Sequence, residues 1–344
     1  MLSLKSILLT DPSPVLRYLV LKNIFNKKDD DPELLELRKS FDTDQRLSEC
    51  LSLQQKNGSW ERLSKEDHIT VSPLILTSAA LCRLSFFGFT QKDECIKKAA
   101  DYLIRLRSRD GSWPLRAADA ITLNKGYSWV PLQTALPLRG LGAIGYAADP
   151  LLSSSYIWLL EKMLPDGAWP AGWAGNNYGF IAGYRRMPHS RWACRSNTTG
   201  ALLALSYHPE YKVSEPVKKT LDMLLARETK DVANIGHDHG RIMGFEPLRG
   251  FFTYFAKYDP LLTLQLCSRI GADKNDQRVK NIIELLLSSC NNSGLFEYRQ
   301  KPHFSKWLSY EILRTIESIA DSSEWQSNEP STPFQAYPKS NKRF

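Results

Sequence analysis

The chain contains six cysteines, at positions 50, 82, 95, 194, 267 and 290, and no CxxC pair. In 344 residues so scattered a set argues against a disulfide framework and reads as small core residues. No apolar run is long enough to cross a bilayer. The opening residues lack the compact apolar core and small-residue cleavage site of a signal peptide, and Asp11 and two prolines interrupt them. A cytoplasmic location is the expectation. Outside the tail residues Lys339, Lys342 and Arg343 there is no dense basic block. The net charge of +8 fits nucleic acid, an anionic membrane surface or a phosphorylated ligand, and the want of a basic block weakens the first of these.

Runs of β-branched residues at period two are missing as well. Apolar residues recur instead at steps of three and four, which predicts helices over 12–26, 32–40, 44–56, 71–87, 92–107, 131–145, 150–163, 194–207, 213–228, 257–271, 276–290 and 305–320. Gly88, Gly145 and Gly271 mark three helix ends, and Pro209 follows a fourth. This is an all-α chain, with a single domain expected over 1–320 and an extended polar tail over 321–344.

A repeat runs through it. Gln54 to Trp60 reads QQKNGSW, Arg107 to Trp113 reads RSRDGSW and Met163 to Trp169 reads MLPDGAW, with tryptophans about fifty residues apart. Cys290 to Phe296 is a degenerate fourth copy with Phe in place of Trp. An Asn/Asp-Gly turn stops each preceding helix, and the aromatic folds back to staple neighbouring units.

These residues resemble the QW repeat of the squalene and terpenoid cyclases, shared more loosely with the protein prenyltransferase β-subunits. The resemblance implies an α/α toroid of about six helix pairs around a central apolar cavity. Asp11 to Tyr18, Phe255 to Asp259 and Ser305 to Trp307 are also similar to small single-domain prenyltransferase or squalene-cyclase-like repeat proteins. Neither activity signature of the larger family is here. No DxDD occurs, and Asp29-Asp30-Asp31 reads as solvated charge before Pro32. No Asp-x-Cys of a zinc-dependent prenyltransferase lies in the last third. No cofactor is therefore assigned, with zinc or magnesium left open.

In such a toroid the segments leading into the inner helices carry the candidates. The stretch from Pro188 to Leu205 is the richest, a histidine, cations and a cysteine feeding an apolar helix. Tyr184, Arg185, Arg186, Arg191 and Arg195 would hold a diphosphate as planar forks and a hydroxyl, against the alternative of a solvated basic loop. Trp129, Trp192, Trp307 and Lys306 are further substrate-binding candidates, the aromatics suiting isoprenoid chains or a carbocation. Asp259 and His239 are the acid–base candidates, although Asp259 before Pro260 reads first as a helix cap. His237 and His239, on what reads as a loop, could join Cys194 around a metal, the alternative being hydrogen-bonded or exposed histidines and a buried thiol.

Three functions follow. The first is a terpenoid cyclase- or prenyltransferase-like enzyme acting on a small isoprenoid or isoprenyl diphosphate. The second is a non-catalytic ligand-binding or scaffold toroid. The third is a carbohydrate-processing (α/α)6 barrel, which two buried carboxylates facing one another would favour. Nucleic acid and a transmembrane segment are not expected, contact with a membrane surface stays open, and the oligomeric state is not addressed by the sequence.

Overall fold

The computed structural model describes residues 3–63, 71–115, 126–179, 187, 190–226, 234–248, 254–298, 301–321 and 325. Tyr184, Arg185, Arg186, His189 and nearly all of the 321–344 tail lie outside the described residues.

Two kinds of helix alternate along the chain, and burial tells them apart. The helices α2 (Pro14–Asn23), α5 (Pro73–Phe86), α7 (Pro131–Leu141), α9 (Arg195–Leu205), α12 (Pro260–Ile270) and α14 (Ser305–Glu317) are buried over most of their surface. In α5, α7, α9 and α12 apolar residues lie on nearly every side, which places them in the interior. The helices α4 (Gln45–Ser52), α6 (Glu94–Arg105), α8 (Ser153–Glu161), α10 (Glu215–Leu225) and α13 (Gln277–Ser288) bury one stripe, as in Ile96, Ala99, Ala100 and Leu103 of α6. They form the outer layer. Two shorter pieces, α1 (Leu4–Leu9) and α3 (Pro32–Lys39), lie near the start of the chain. Around the inner layer α5 packs on α7, α7 on α9, α12 on α14 and α14 on α2, so the last inner helix meets the first. Asn23 Nδ2 donates to Tyr310 Oη at 2.6 Å across that closure. The architecture is an α/α toroid.

The repeated turns are the joints of this ring. Trp60, Trp113 and Trp169 are fully buried, and each indole N–H donates to a carbonyl ten residues back, that of Cys50, Leu103 or Leu159. The main-chain N–H of each donates to a threonine hydroxyl on the following inner helix, Thr77, Thr134 or Thr198. Phe296 keeps the second bond, to Ser309, and lacks the indole for the first. The glycine before each aromatic is left-handed for a reason: a Cβ on Gly58 would lie 2.2 Å from the Lys98 carbonyl oxygen, and one on Gly111 2.5 Å from the Ser154 backbone. Each turn thus touches the next outer helix while bonding its own inner one.

The twelve expected helices are all present, with expectations overrunning by up to about four residues at their ends. Three features differ. The six-residue α1 (Leu4–Leu9) lies ahead of the first expected helix. Residues 237–242, expected as loop, form the short helix α11 (His237–Ile242), entered through a left-handed Gly236. A small antiparallel sheet, β1 (Tyr127–Trp129), β2 (Trp173–Ala174) and β3 (Asn177–Tyr178), stands beside the entries to α7 and α9. Six residues carry too little periodicity to reveal the helix, and strands this short carry almost none.

Candidate functional site

The short helix α11 lies inside the ring. It packs on α5, Asp238 reaches Arg139 on α7, and Gly236 comes against Leu308 on α14. Asp259 fixes it there. The Asp259 carboxylate accepts the N–H groups of Gly236 and Asp238 at 2.9 Å each, and those of Leu261 and Leu262 at the start of α12. One side chain therefore caps two helices. Burial pushes Asp259 up to about 6, against the N–H groups that favour its charged form.

Above α11 a cavity of about 370 Å³ opens between the C-terminal halves of the inner helices. Its chemistry is polar. Arg139 grips Asp238 through both terminal nitrogens, at 3.0 and 2.5 Å, with both side chains buried. Arg314 grips Glu311 in the same two-point way, at 3.0 and 2.5 Å, and Gln265 adds a bond of 2.6 Å to that carboxylate. Burial alone would push both carboxyls up; the arginines outweigh it and hold both below the usual range. Arg269 lies over the Tyr207 ring, 4.3 Å from its centre. His239, 5% exposed, is wedged between Phe86 at 4.8 Å and Phe304 at 5.6 Å. Burial pushes its imidazole down, Glu311 opposing, so it is neutral at neutral pH. Phe86, Leu19 and Ile242 supply an apolar side to the same space.

Three lining residues keep buried nitrogens without a hydrogen-bond partner among the described residues: Nε of Arg139, Nε2 of His239 and Nη1 of Arg269. Buried donors and acceptors are nearly always satisfied in folded proteins. Their gathering in one cavity makes it the candidate site.

The sequence expectation placed the site at the opposite end, where the inner helices begin. Among the described residues the polar groups at that end are taken up by its own joints. Thr77, Thr134 and Thr198 are used by the staple turns, Gln133 bonds Val130 N and the Trp113 carbonyl, and Asn197 ties α9 to Leu132 N and the Ala171 carbonyl. Arg195 is buried in the first turn of α9, its guanidinium 5.9 Å from the Tyr258 ring, whereas Arg191 is exposed over Trp192. Among the described residues no cationic cluster forms there.

Cys194 caps α9 at 1% exposure, a core thiol rather than an open nucleophile. His237 stands 3.8 Å from Glu246, whereas His239 faces the cavity. Among the described residues no group of three histidines, cysteines or carboxylates is placed to hold a metal. Lys306 bonds Thr10 and approaches Asp11, belonging to the ring closure. Trp307, 2% exposed, packs on Phe86 and Phe87 from within the core. Trp129 is half-buried on β1, stacked with Trp173 beneath Lys162. Asp259 is a cap and does not line the cavity. Of the expected site residues that are described, only His239 reaches it. Arg139, Asp238, Arg269, Glu311 and Arg314 were missed, although Arg139 and Arg269 share a signal: an arginine in the last turn of an otherwise apolar helix.

No protein-family model matches the chain. Over 99 residues, 27% of the chain, it is 32% identical to a probable squalene–hopene cyclase of Sinorhizobium fredii. Over 96 residues, again 27%, it is 31% identical to a squalene–hopene cyclase of Bradyrhizobium diazoefficiens. The matched segments span only 15% and 14% of those relatives. Among solved structures, the apo type II terpene cyclase MstE from Scytonema aligns with TM-score 0.48 and 13% identity, covering 79% of this chain and 71% of that one. A variant of MstE in complex with geranylgeranyl dihydroxybenzoate gives 0.48 and 12%, over 79% and 74%. A protein from Actinoplanes gives 0.45 and 15%, over 89% of each chain.

Proposed function

We propose that this terpenoid-cyclase-like toroid binds a small isoprenoid-type molecule in the cavity above α11, and that any chemistry there is not alkene protonation. The observation that carries the reading is a cavity with an apolar side at Phe86, Leu19 and Ile242 and a polar side whose buried nitrogens lack partners. An amphipathic ligand matches both sides, and the volume suits a small molecule. The short similarity to squalene–hopene cyclases supports an isoprenoid over other amphipaths.

Type II cyclisation needs a carboxylic acid that keeps its proton. Among the described residues Asp238 and Glu311 are the carboxyls lining the cavity, and their arginines keep both ionised. Asp259 holds a proton more tightly, but its oxygens are turned onto main-chain N–H groups outside the cavity. The same pairing counts against the carbohydrate reading, since glycoside hydrolysis needs one protonated carboxyl. His239, held neutral by burial, resists taking a proton and offers its Nε2 to a hydrogen bond instead. The arrangement is that of a binding site.

Titration of the purified protein with farnesol, followed by tryptophan fluorescence and native mass spectrometry, tests this. Saturable one-to-one binding is expected, weakened at least about tenfold by Phe86→Asp, which puts a charge on the apolar side. Absence of saturable binding to farnesol and geranylgeraniol alike would sink the isoprenoid reading.

A further inference from the structure

We propose that the ligand of this cavity carries an oxyanion, a carboxylate or a phosphate monoester, gripped by Arg269 with Arg139 and His239 beside it. The inference deepens the reading above and rests on the same cavity.

Among the described residues the lining holds Lys22, Arg139, Arg269 and Arg314 against two carboxylates. Three of these cations are accounted for. Arg139 and Arg314 are taken up by Asp238 and Glu311, and Lys22 by Asp29 at 2.7 Å. Arg269 is the remainder. Helix C-termini carry partial negative charge and attract cations, which by itself explains arginines in the last turns of α7, α12 and α14. An arginine serving only the main chain would bond its carbonyls, as Arg83 does with those of Leu63 and Ile242, its Nη2 left without a partner. Arg269 instead lies on Tyr207, its buried Nη1 unbonded. A guanidinium held on a ring with an open edge is set to receive a planar or tetrahedral oxyanion in two-point fashion.

The second observation is independent of Arg269. His239 and Arg139 are each 5% exposed, line the same cavity, and each keeps a nitrogen without a partner. Arg139 through Nε, and His239 in its Nε2–H tautomer, can each donate to a ligand oxygen.

The probes are inorganic phosphate and sodium acetate, read by thermal shift and calorimetry on the full chain, with Arg269→Ala, Arg269→Lys and Arg191→Ala. Phosphate or acetate is expected to raise the melting temperature of the wild type and of Arg191→Ala, whose arginine is on the surface. Arg269→Ala should weaken that binding at least tenfold. Arg269→Lys, which keeps the charge and loses the fork, should fold like wild type and fall between. An equal response in the wild type and both Arg269 variants overturns the proposal, as does no response in the wild type. A second arm compares farnesyl phosphate and farnesoate with farnesol. A gain of tenfold or more by either charged ligand supports the anchor and says which oxyanion it takes; no gain by either overturns it. Loss of farnesol binding with phosphate binding retained overturns the isoprenoid reading and leaves the anchor standing.

Discussion

Asp259 and His237 are close in the chain's fold and opposed in what acid does to them. The Asp259 carboxyl holds its proton more tightly in the fold, at about 6 against 3.8. The stability it contributes is fully present below about 4 and is lost as pH rises through about 6. Burial, with Arg241 and Lys257 adding to it, pushes His237 down to about 4 from 6.5. Its contribution is present above about 6.5 and is lost as pH falls toward 4. The Asp259 shift is worth about 3 kcal/mol, and that of His237, discounted for the water that reaches it, about 1–2 kcal/mol. The two oppose each other across the same window, and the carboxyl prevails. Asp259→Asn should uncover the histidine: stability then falls by about 1–2 kcal/mol between pH 6.5 and 4, on top of ~1–2 kcal/mol from the weakened caps. Urea denaturation at pH 4.5, 5.5 and 6.5 measures it. An Asp259→Asn profile that runs parallel to wild type would contradict the assignment.

At the scale of the element, the unit is an outer helix, its staple turn and the inner helix that follows. Gly111→Ala should cost about 1–3 kcal/mol or more, since it adds a strained left-handed alanine to a backbone clash with Ser154. Gly271→Ala, also left-handed but with open space around its Cβ position, should cost only the strain. Equal costs in chemical denaturation would show that the contact between units carries little. These joints were the most legible part of the sequence, because Asn/Asp-Gly turns and tryptophans at regular spacing declare themselves without any knowledge of packing. The inner helices were legible too, runs such as Gly200 to Leu205 of α9 being apolar on every side. The cavity was not. Arg139, Asp238, Arg269 and Glu311 come from four different helices, and no local pattern says that a polar residue late in an apolar helix faces a hole rather than a neighbour. His239 was found for its residue type, and its place on a helix inside the ring depends on Asp259, twenty positions further along.

The whole molecule is a ring closed by α14 on α2. Open arrays of repeats lose structure piecemeal, whereas a closed ring has no free end from which to fray. Fluorescence and far-UV circular dichroism should therefore report one coincident urea transition for the full chain. Deleting residues 3–23 removes the closing partner of Tyr310 and α14, and the two probes should then separate. Coincident transitions in the deletion variant would mean that closure contributes nothing to cooperativity.

That closure also sets a clock on synthesis. Asn23 and Tyr310, joined by one hydrogen bond, lie 287 residues apart in the chain. A ribosome adding about 5–20 residues per second leaves α2, packed on its neighbours α1 and α3, waiting for tens of seconds with the side that meets α14 uncovered. The first inner helix made is among the last to meet its inner neighbour, and a nascent chain in that interval is a natural client for chaperones that shield exposed apolar surface.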